Sequence, residues 1–454
     1  MEEEYYNFYR KEVFAIFPKL KWKREGAYTV ERKERTEHRQ IENASVPSEL
    51  VYPLTMHIGK PATPVVDVGD KVKIGTLIAE KAEMISANTY SSVSGEVIEI
   101  GDHPTIQGNS PCIIIKNDFQ DEWNAPLFAE DEKLSPEEKL EIIDKAGIVG
   151  MGGATFPTSV KLSPPKDTSV DTLIVNGAEC EPYTTADHRL MVEYAKELIE
   201  GIRILQEILP VKKVYIAIES NAHESVAVMN KEIGESEAIE VKELETIYPQ
   251  GSEKVLIKKL TNREVPPGKL PADVQTLVIN VGTTYAIYEA IHLGKPLTKR
   301  ITTVSGEPVK EPKNLWVRIG TPMESLIKDC GGFRSKPGKM IHGGPMMGRT
   351  MNSGLVPVGK GTTTVTFLEK KEAEMDERSP CIKCSECLNV CPVSLQPIMI
   401  SNAYEKGDLK KAEKLGALDC IDCGACSYIC PSKIPILENI QKAKREIKAA
   451  KEGA

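Results

Sequence analysis

Eight of the chain's eleven cysteines fall into two copies of one spacing. Cys381, Cys384, Cys387 and Cys391 precede Pro392, and Cys420, Cys423, Cys426 and Cys430 precede Pro431; each run reads C-x2-C-x2-C-x3-C-P. In that spacing a loop wraps three thiolates around one iron–sulfur cube and sends the fourth to a neighbouring cube. The reciprocal arrangement assigns Cys381, Cys384, Cys387 and Cys430 to one [4Fe-4S] cluster, and Cys420, Cys423, Cys426 and Cys391 to the other. A pair of zinc knuckles competes with this reading, but zinc sites usually separate their cysteine pairs by a longer loop. Disulfides fit less well still, because cysteines this close in sequence are poor partners and no secretory leader is expected of Met1-Glu-Glu-Glu-Tyr-Tyr.

A second group of chemistry-bearing residues lies upstream. The stretch Gly147-Ile-Val-Gly150-Met-Gly152-Gly153-Ala-Thr-Phe156-Pro157-Thr-Ser-Val-Lys161 places clustered glycines ahead of a lysine. Bare glycines let backbone N–H groups approach a phosphate and a lysine adds a compact charge, though the same residues equally suit a tight turn. The stretch is not the usual dinucleotide fingerprint, because a helix opened by Ser135-Pro136-Glu137-Glu138, rather than a strand, precedes it. Further on, Asn176-Gly-Ala-Glu179-Cys180-Glu181-Pro182 sets two carboxylates beside a thiol, which acidic neighbours keep from ionising.

These residues need elements to hold them. The apolar periodicity predicts strands over 171–176, 213–218, 239–244 and 275–281, and helices over 187–209, 221–233, 252–261 and 283–293. That alternation implies a largely parallel sheet with helices on its faces, where ligands gather beyond the strand ends. Glu179, Glu181, Asn280 and Thr283 all fall at such ends. From Val51 to Lys116 short alternating segments with Gly and Pro argue for a small all-β module, whose V-x-V-G-D-x-V pattern at Val66 resembles a lipoyl-type barrel-sandwich. Its tip reads Ala82-Glu-Met84-Ile85-Ser86, without the lysine that would carry a swinging arm.

Composition sets the outer bounds. The chain has 454 residues, 41% of them hydrophobic, so several domains with real cores are expected. Its net charge of −8 provides no basic field for nucleic acid. No run of 18 apolar residues occurs, so a cytoplasmic protein touching membranes only peripherally is expected.

Several stretches in one order are similar to the RnfC family, the C subunits of Rnf electron-transport complexes. They are His57-Ile-Gly-Lys-Pro-Ala, Gly150-Met-Gly-Gly-Ala-Thr-Phe-Pro-Thr, Asn176-Gly-Ala-Glu-Cys-Glu-Pro-Tyr-Thr-Thr-Ala-Asp187, Tyr248-Pro-Gln-Gly-Ser-Glu253, Asn280-Val-Gly-Thr-Thr-Tyr285, Gly343-Gly-Pro-Met-Met-Gly348 and the paired cysteine runs. The resemblance implies a multidomain α/β protein: an N-terminal arm (1–45), a barrel-sandwich module (46–118), an FMN/NADH-binding domain like the flavin-binding part of respiratory complex I (130–295), a soluble-ligand-binding β-grasp (SLBB) unit (296–350), a dicluster ferredoxin domain (376–440) and a C-terminal helix (441–454).

Carried over residue by residue, the resemblance implies that Gly150, Gly152, Gly153, Lys161, Asn176, Gly251, Asn280 and Thr283 line FMN. Phe156 would stack on NADH, and Glu179 and Glu181 would bind the nucleotide where hydride transfer occurs. The implied activity passes electrons between NAD(H), FMN and two [4Fe-4S] clusters, with ferredoxin and the other Rnf membrane subunits as partners on the inner face of the cell membrane. Two alternatives stay open at this point: a soluble electron donor to a proline- or cobalamin-type reductase, and a passive two-cluster scaffold. The family's N-terminal Gly-Gly-Ile-His-Pro segment is replaced here by the arm, and Ala178 stands where the complex I relative has an acid.

Overall fold

A computed structural model describes residues 26–128, 134–165, 168–374 and 377–452. The first 25 residues of the expected N-terminal arm therefore lie outside the described residues. The chain forms two compact units, one spanning Tyr28–Asp376 and the other built on Glu377–Ala454.

At the heart of the larger unit is a four-stranded sheet in the order Ile239–Leu244, Lys213–Glu219, Thr172–Asn176, Thr276–Asn280, with every pairing parallel. The strand sequences TLIVN and TLVIN are almost wholly buried, as expected when helices cover both faces of a sheet. Thr172–Asn176 comes first in the chain, yet later strands flank it on both sides. The connections thus diverge at this strand, which makes the crevice beyond its C-terminal end a topological switch point. Asn176 and Asn280 are directly paired there.

The helices follow the expected periods with one exception. The predicted helix 187–209 is two helices, Ala186–Glu193 and Ala195–Ile208, separated at Tyr194 with φ −130°. The tertiary reason is an aromatic cluster: the Tyr194 ring meets Tyr285 at 5.3 Å and Trp316 at 5.6 Å, both edge-on, and its hydroxyl accepts from Trp316 Nε1 at 3.0 Å. The helix ahead of the glycines runs Pro136–Lys145, with Ser135 and Glu138 forming the reciprocal capping box that the sequence suggests.

Three further sheets complete this unit. Strands Glu49–Pro53, Gly108–Asn117, Gly95–Thr105 and Lys71–Val72 form one sheet of the small β module, and Thr63–Pro64, Leu77–Glu80 and Thr89–Tyr90 form the other. A six-stranded mixed sheet is ordered Glu42–Asn43, Lys313–Arg318, Lys299–Ser305, Thr364–Leu368, Lys339–His342, Arg349–Met351. Its outer strand Glu42–Asn43 comes from the N-terminal segment, and Thr364–Leu368 from beyond residue 350. Neither addition shows as periodicity, because each segment becomes a strand only by pairing with distant neighbours.

The smaller unit packs helices Pro397–Glu405, Leu409–Lys414 and Ile436–Glu452 around Ile400, Ala403, Ile440, Ala443 and Ile447. The last helix, Ile436–Glu452, starts just after Pro435, inside the 376–440 range expected for the dicluster domain. No helix among the described residues is long and apolar enough to cross a membrane.

Candidate functional site

The glycine stretch folds as a loop closed by its own backbone. Gly150 N–H donates to Phe156 O at 2.8 Å, and Thr155 N–H to Gly150 O at 3.0 Å. Gly153 has φ +113°, a backbone that a side chain would strain, and Gly152 comes so near Asn280 that an added Cβ would lie 3.4 Å from its side chain. Among the described residues the N–H groups of Gly152, Gly153 and Ala154 find no hydrogen-bond partner, and all three residues are exposed. A loop of unpaired, uncovered N–H groups is the donor set a phosphate takes.

The loop is tied to the switch point from beneath. Met151 N–H donates to Thr283 Oγ1 at 2.8 Å, and the buried Arg300 donates to Met151 O at 3.2 Å. Asn280 caps the helix Val281–Leu293, its Oδ1 accepting from Gly282 N at 2.9 Å and Thr283 N at 3.3 Å. Its Nδ2 donates to Asp187 Oδ2 at 2.6 Å and Asn176 O at 3.4 Å. Asn176 in turn donates from Nδ2 to Gly251 O at 2.9 Å. Lys161, ending the short helix Thr158–Lys161, is ion-paired with Glu253 two residues after Gly251. Hydrogen bonds thus join Asn176, Gly251, Asn280, Asp187 and Thr283 to the glycine loop at Met151, with Gly150, Gly152 and Gly153 on that loop and Lys161 tied to Glu253. The half-buried Phe156 closes the glycine loop through its backbone.

The two glutamates part company. Glu179 turns inward: its Oε1 accepts from Asp187 N at 2.8 Å and its Oε2 from His188 N at 2.7 Å, at the start of the helix Ala186–Glu193. Burial, and after it the Asp187 charge, push its carboxyl well above the usual range. Glu181 turns to the loop Gly343–Gly348, where Met346 N–H donates to Oε2 at 3.0 Å and Met347 N–H to Oε1 at 2.7 Å. Burial raises it to about 7 against the lowering effect of those two donors. Cys180 between them is half-buried, and burial together with Glu219 pushes its thiol far up, so it stays a neutral thiol.

Three buried groups here escape a sequence reading: Lys33, Glu219 and Arg300. Single charges inside otherwise ordinary segments carry no pattern. Only the fold shows that Arg300, lowered to about 10 by burial, lies below the glycine loop, or that Lys33 reaches Glu179.

In the smaller unit the two cysteine runs have matching backbones. Left-handed residues recur 39 positions apart: Lys383 and Asp422, Ser385 and Gly424, Ser394 and Lys433. Lys383 N–H points to Cys381 Sγ at 3.4 Å and Asp422 N–H to Cys420 Sγ at 3.4 Å, while Leu395 N–H reaches Cys391 Sγ at 3.3 Å. Burial raises the Cys387 thiol, and the sulfurs of Cys384, Cys430 and Cys381 add to it. Burial likewise raises Cys426, whose neighbouring sulfurs are Cys420, Cys423, Cys391 and, as the smallest contributor, Cys387. Cys430 thus acts on Cys387, and Cys391 on Cys426, so each run lies near the last cysteine of the other. Among the described residues no three His, Cys, Asp or Glu side chains converge on a single-ion position, and a four-iron cube spreads its thiolates wider than one tetrahedral ion does.

A switch-point crevice with a phosphate-type loop, joined in one chain to twin cluster loops, defines a flavin/iron–sulfur electron-transfer protein. Family models agree domain by domain: an RnfC barrel-sandwich hybrid domain matches residues 22–120, a Nuo51 FMN-binding domain 143–289, an SLBB domain 301–350 and a 4Fe-4S dicluster domain 374–431. The chain is 46% identical to the C subunit of the proton-translocating ferredoxin:NAD(+) oxidoreductase complex of Clostridium ljungdahlii, covering 95% of both chains. It is 42% identical to the C subunit of the Na(+)-translocating ferredoxin:NAD(+) oxidoreductase complex of Acetobacterium woodii, over 93% of this chain and 96% of that one. It is 41% identical to the C subunit of the ion-translocating oxidoreductase complex of Rhodobacter capsulatus, over 93% and 83%. The chain belongs to this family, the C subunits of ion-translocating ferredoxin:NAD+ oxidoreductase complexes.

Proposed function

We propose that this chain is the flavin- and cluster-bearing subunit of an ion-translocating ferredoxin:NAD+ oxidoreductase, passing electrons between NAD(H), FMN and two [4Fe-4S] clusters. The observation that carries the proposal is the convergence of the glycine loop, Asn176 and Asn280 at the switch point, in a chain that also carries two matching C-x2-C-x2-C-x3-C-P runs. FMN, when bound, accepts a hydride as an electron pair and releases single electrons that one-electron clusters can take.

The residues divide that work. The N–H groups of Gly152 and Gly153 hold the flavin phosphate, and Lys161, lying beside Glu253, adds a positive charge. Asn280 and Asn176 fix the floor of the crevice, the first by donating to Asn176 O and the second by donating to Gly251 O. Glu179 orients the loop it belongs to by capping the following helix, and Glu181, held near neutral pKa, faces the nucleotide from the edge of that loop. Phe156 stacks on NADH. Cys381, Cys384, Cys387 and Cys430 hold one cube, and Cys420, Cys423, Cys426 and Cys391 the other. The other subunits of the complex and ferredoxin are the partners, and the chain works on the inner face of the membrane, held there by those subunits.

The test is a visible spectrum of the anaerobically purified, FMN-reconstituted protein before and after NADH. Bleaching of the flavin bands together with a fall in the broad cluster absorbance is expected. Clusters without bound flavin would remove the glycine loop from the site and leave a passive two-cluster scaffold.

A further inference from the structure

The N-terminal segment threads a set of polar contacts through the acidic loop. Tyr183 N–H donates to Glu31 O at 2.8 Å, and Asn221 Nδ2 to Glu31 Oε2 at 2.6 Å. Thr185 Oγ1 donates to Thr36 Oγ1 at 2.8 Å, and Arg35 donates to Gly306 O at 3.0 Å and Val309 O at 2.8 Å. Between these anchors Lys33, only 8% exposed, donates from Nζ to the backbone carbonyl of Glu179. Its ammonium also lies 3.9 Å from Glu219 Oε2.

Glu219 ends the strand Lys213–Glu219 and is 1% exposed, and among the described residues neither of its oxygens has a hydrogen-bond partner. A buried carboxylate with no close hydrogen bond, helped only weakly by the Glu179 backbone N–H, depends on a nearby cation. The groups facing it are Lys33 and Glu31 from the N-terminal segment and Glu179 and Cys180 from the acidic loop. Lys33 is the cation among them. A cavity of about 10 Å3 beside the pair, also lined by Gly177, His188 and Asn221, holds no more than about one water.

We infer that Lys33 is a positioning residue for nucleotide binding: its ammonium pins the carbonyl of Glu179 and so sets the loop Asn176–Pro182, while Glu219 keeps the lysine in place. The inference rests on the reading that this loop binds NAD(H). It gives the N-terminal segment a part in the reaction although none of its residues need touch the substrate.

Lys33→Met keeps the stem and removes the charge, so the buried Glu219 loses its counter-ion and the carbonyl its donor. The FMN-loaded variant should bind FMN as before and show a KM for NADH raised about tenfold or more, with kcat little changed, the scale of losing one charge-assisted hydrogen bond. The double variant Lys33→Met/Glu219→Gln removes the uncompensated acid. Its thermal midpoint should return toward that of the parent while KM stays raised, because the carbonyl still lacks its donor. Recovery of KM together with the midpoint would reduce Lys33 to charge neutralisation and overturn the inference, as would an unchanged KM in the single variant. Glu181→Gln provides the separating control: if NADH affinity survives that change, the loop is not the nucleotide site and the functional reading fails first. If affinity falls there but not in Lys33→Met, this inference alone fails.

Discussion

At Gly344 the loop Gly343–Gly348 packs against Glu181 of the loop Asn176–Pro182. A methyl group added at Gly344 would lie 2.2 Å from Glu181 Oε2, 2.6 Å from its Cδ and 2.8 Å from its Cβ. Gly344 is not among the residues with positive φ, so Gly344→Ala places no strain on its own backbone; the damage falls on Glu181. Ordinary van der Waals contact requires the carboxylate to retreat by about an ångström, and the bonds from Met346 N–H and Met347 N–H at 3.0 and 2.7 Å then both break. Each is a charge-assisted bond worth ~1.5–3 kcal/mol, and hydration of the released carboxylate returns part of that, so a net loss of about 2–3 kcal/mol in unfolding free energy is expected. Urea titration of the purified apoprotein measures it. In the flavin-loaded protein the same change should raise the KM for NADH, since Glu181 no longer faces the nucleotide from a fixed point. A variant that unfolds at the parental urea concentration with parental KM would refute the claim that the Gly343–Gly348 loop holds Glu181.

Three further outcomes are expected. Cys391→Ser should disturb the cluster wrapped by Cys420, Cys423 and Cys426, and Cys430→Ser the one wrapped by Cys381, Cys384 and Cys387; iron content and low-temperature EPR of each variant read which cube is lost. Lys161→Gln should weaken FMN binding by about one order of magnitude through the lost charge near the phosphate, followed by flavin fluorescence quenching. Burial raises Glu219 to about 7, so the unfolded chain ionises this acid at lower pH than the folded one, and the stability it provides is lost as pH climbs from the usual carboxylate range to about 7. The thermal midpoint of Glu219→Gln should therefore gain on that of the parent over that interval and level off above it; a difference independent of pH would count against a buried, protonatable Glu219.

Much of this protein is legible in its sequence because the information is local. The cysteine spacing is enough to name two cubes, since three thiolates within one tight loop leave little other chemistry, and the structure adds the repeated left-handed turns at Lys383 and Asp422. The parallel sheet follows from near-continuous apolar runs such as TLIVN alternating with amphipathic helices. The glycine stretch, by contrast, is ambiguous in sequence between a turn and a phosphate loop. Only the pairing of Asn176 with Asn280, the Thr283 and Arg300 bonds to Met151, and the switch-point topology give it a setting.

What tertiary structure alone decided involves single residues joined over long sequence distances. The break at Tyr194 comes from rings of Tyr285 and Trp316 that no window around residue 194 contains. Glu179 and Glu181 are two residues apart and look equivalent in sequence, yet one caps a helix and the other is held by a loop more than 160 residues away. Lys33 reads as one charge in a mixed segment until the fold buries it against Glu179 and Glu219. Periodicity and motif spacing record contacts between near neighbours. The electrostatics of a buried site depend on which charges the fold brings within a few ångströms, and that is fixed only when the chain closes on itself.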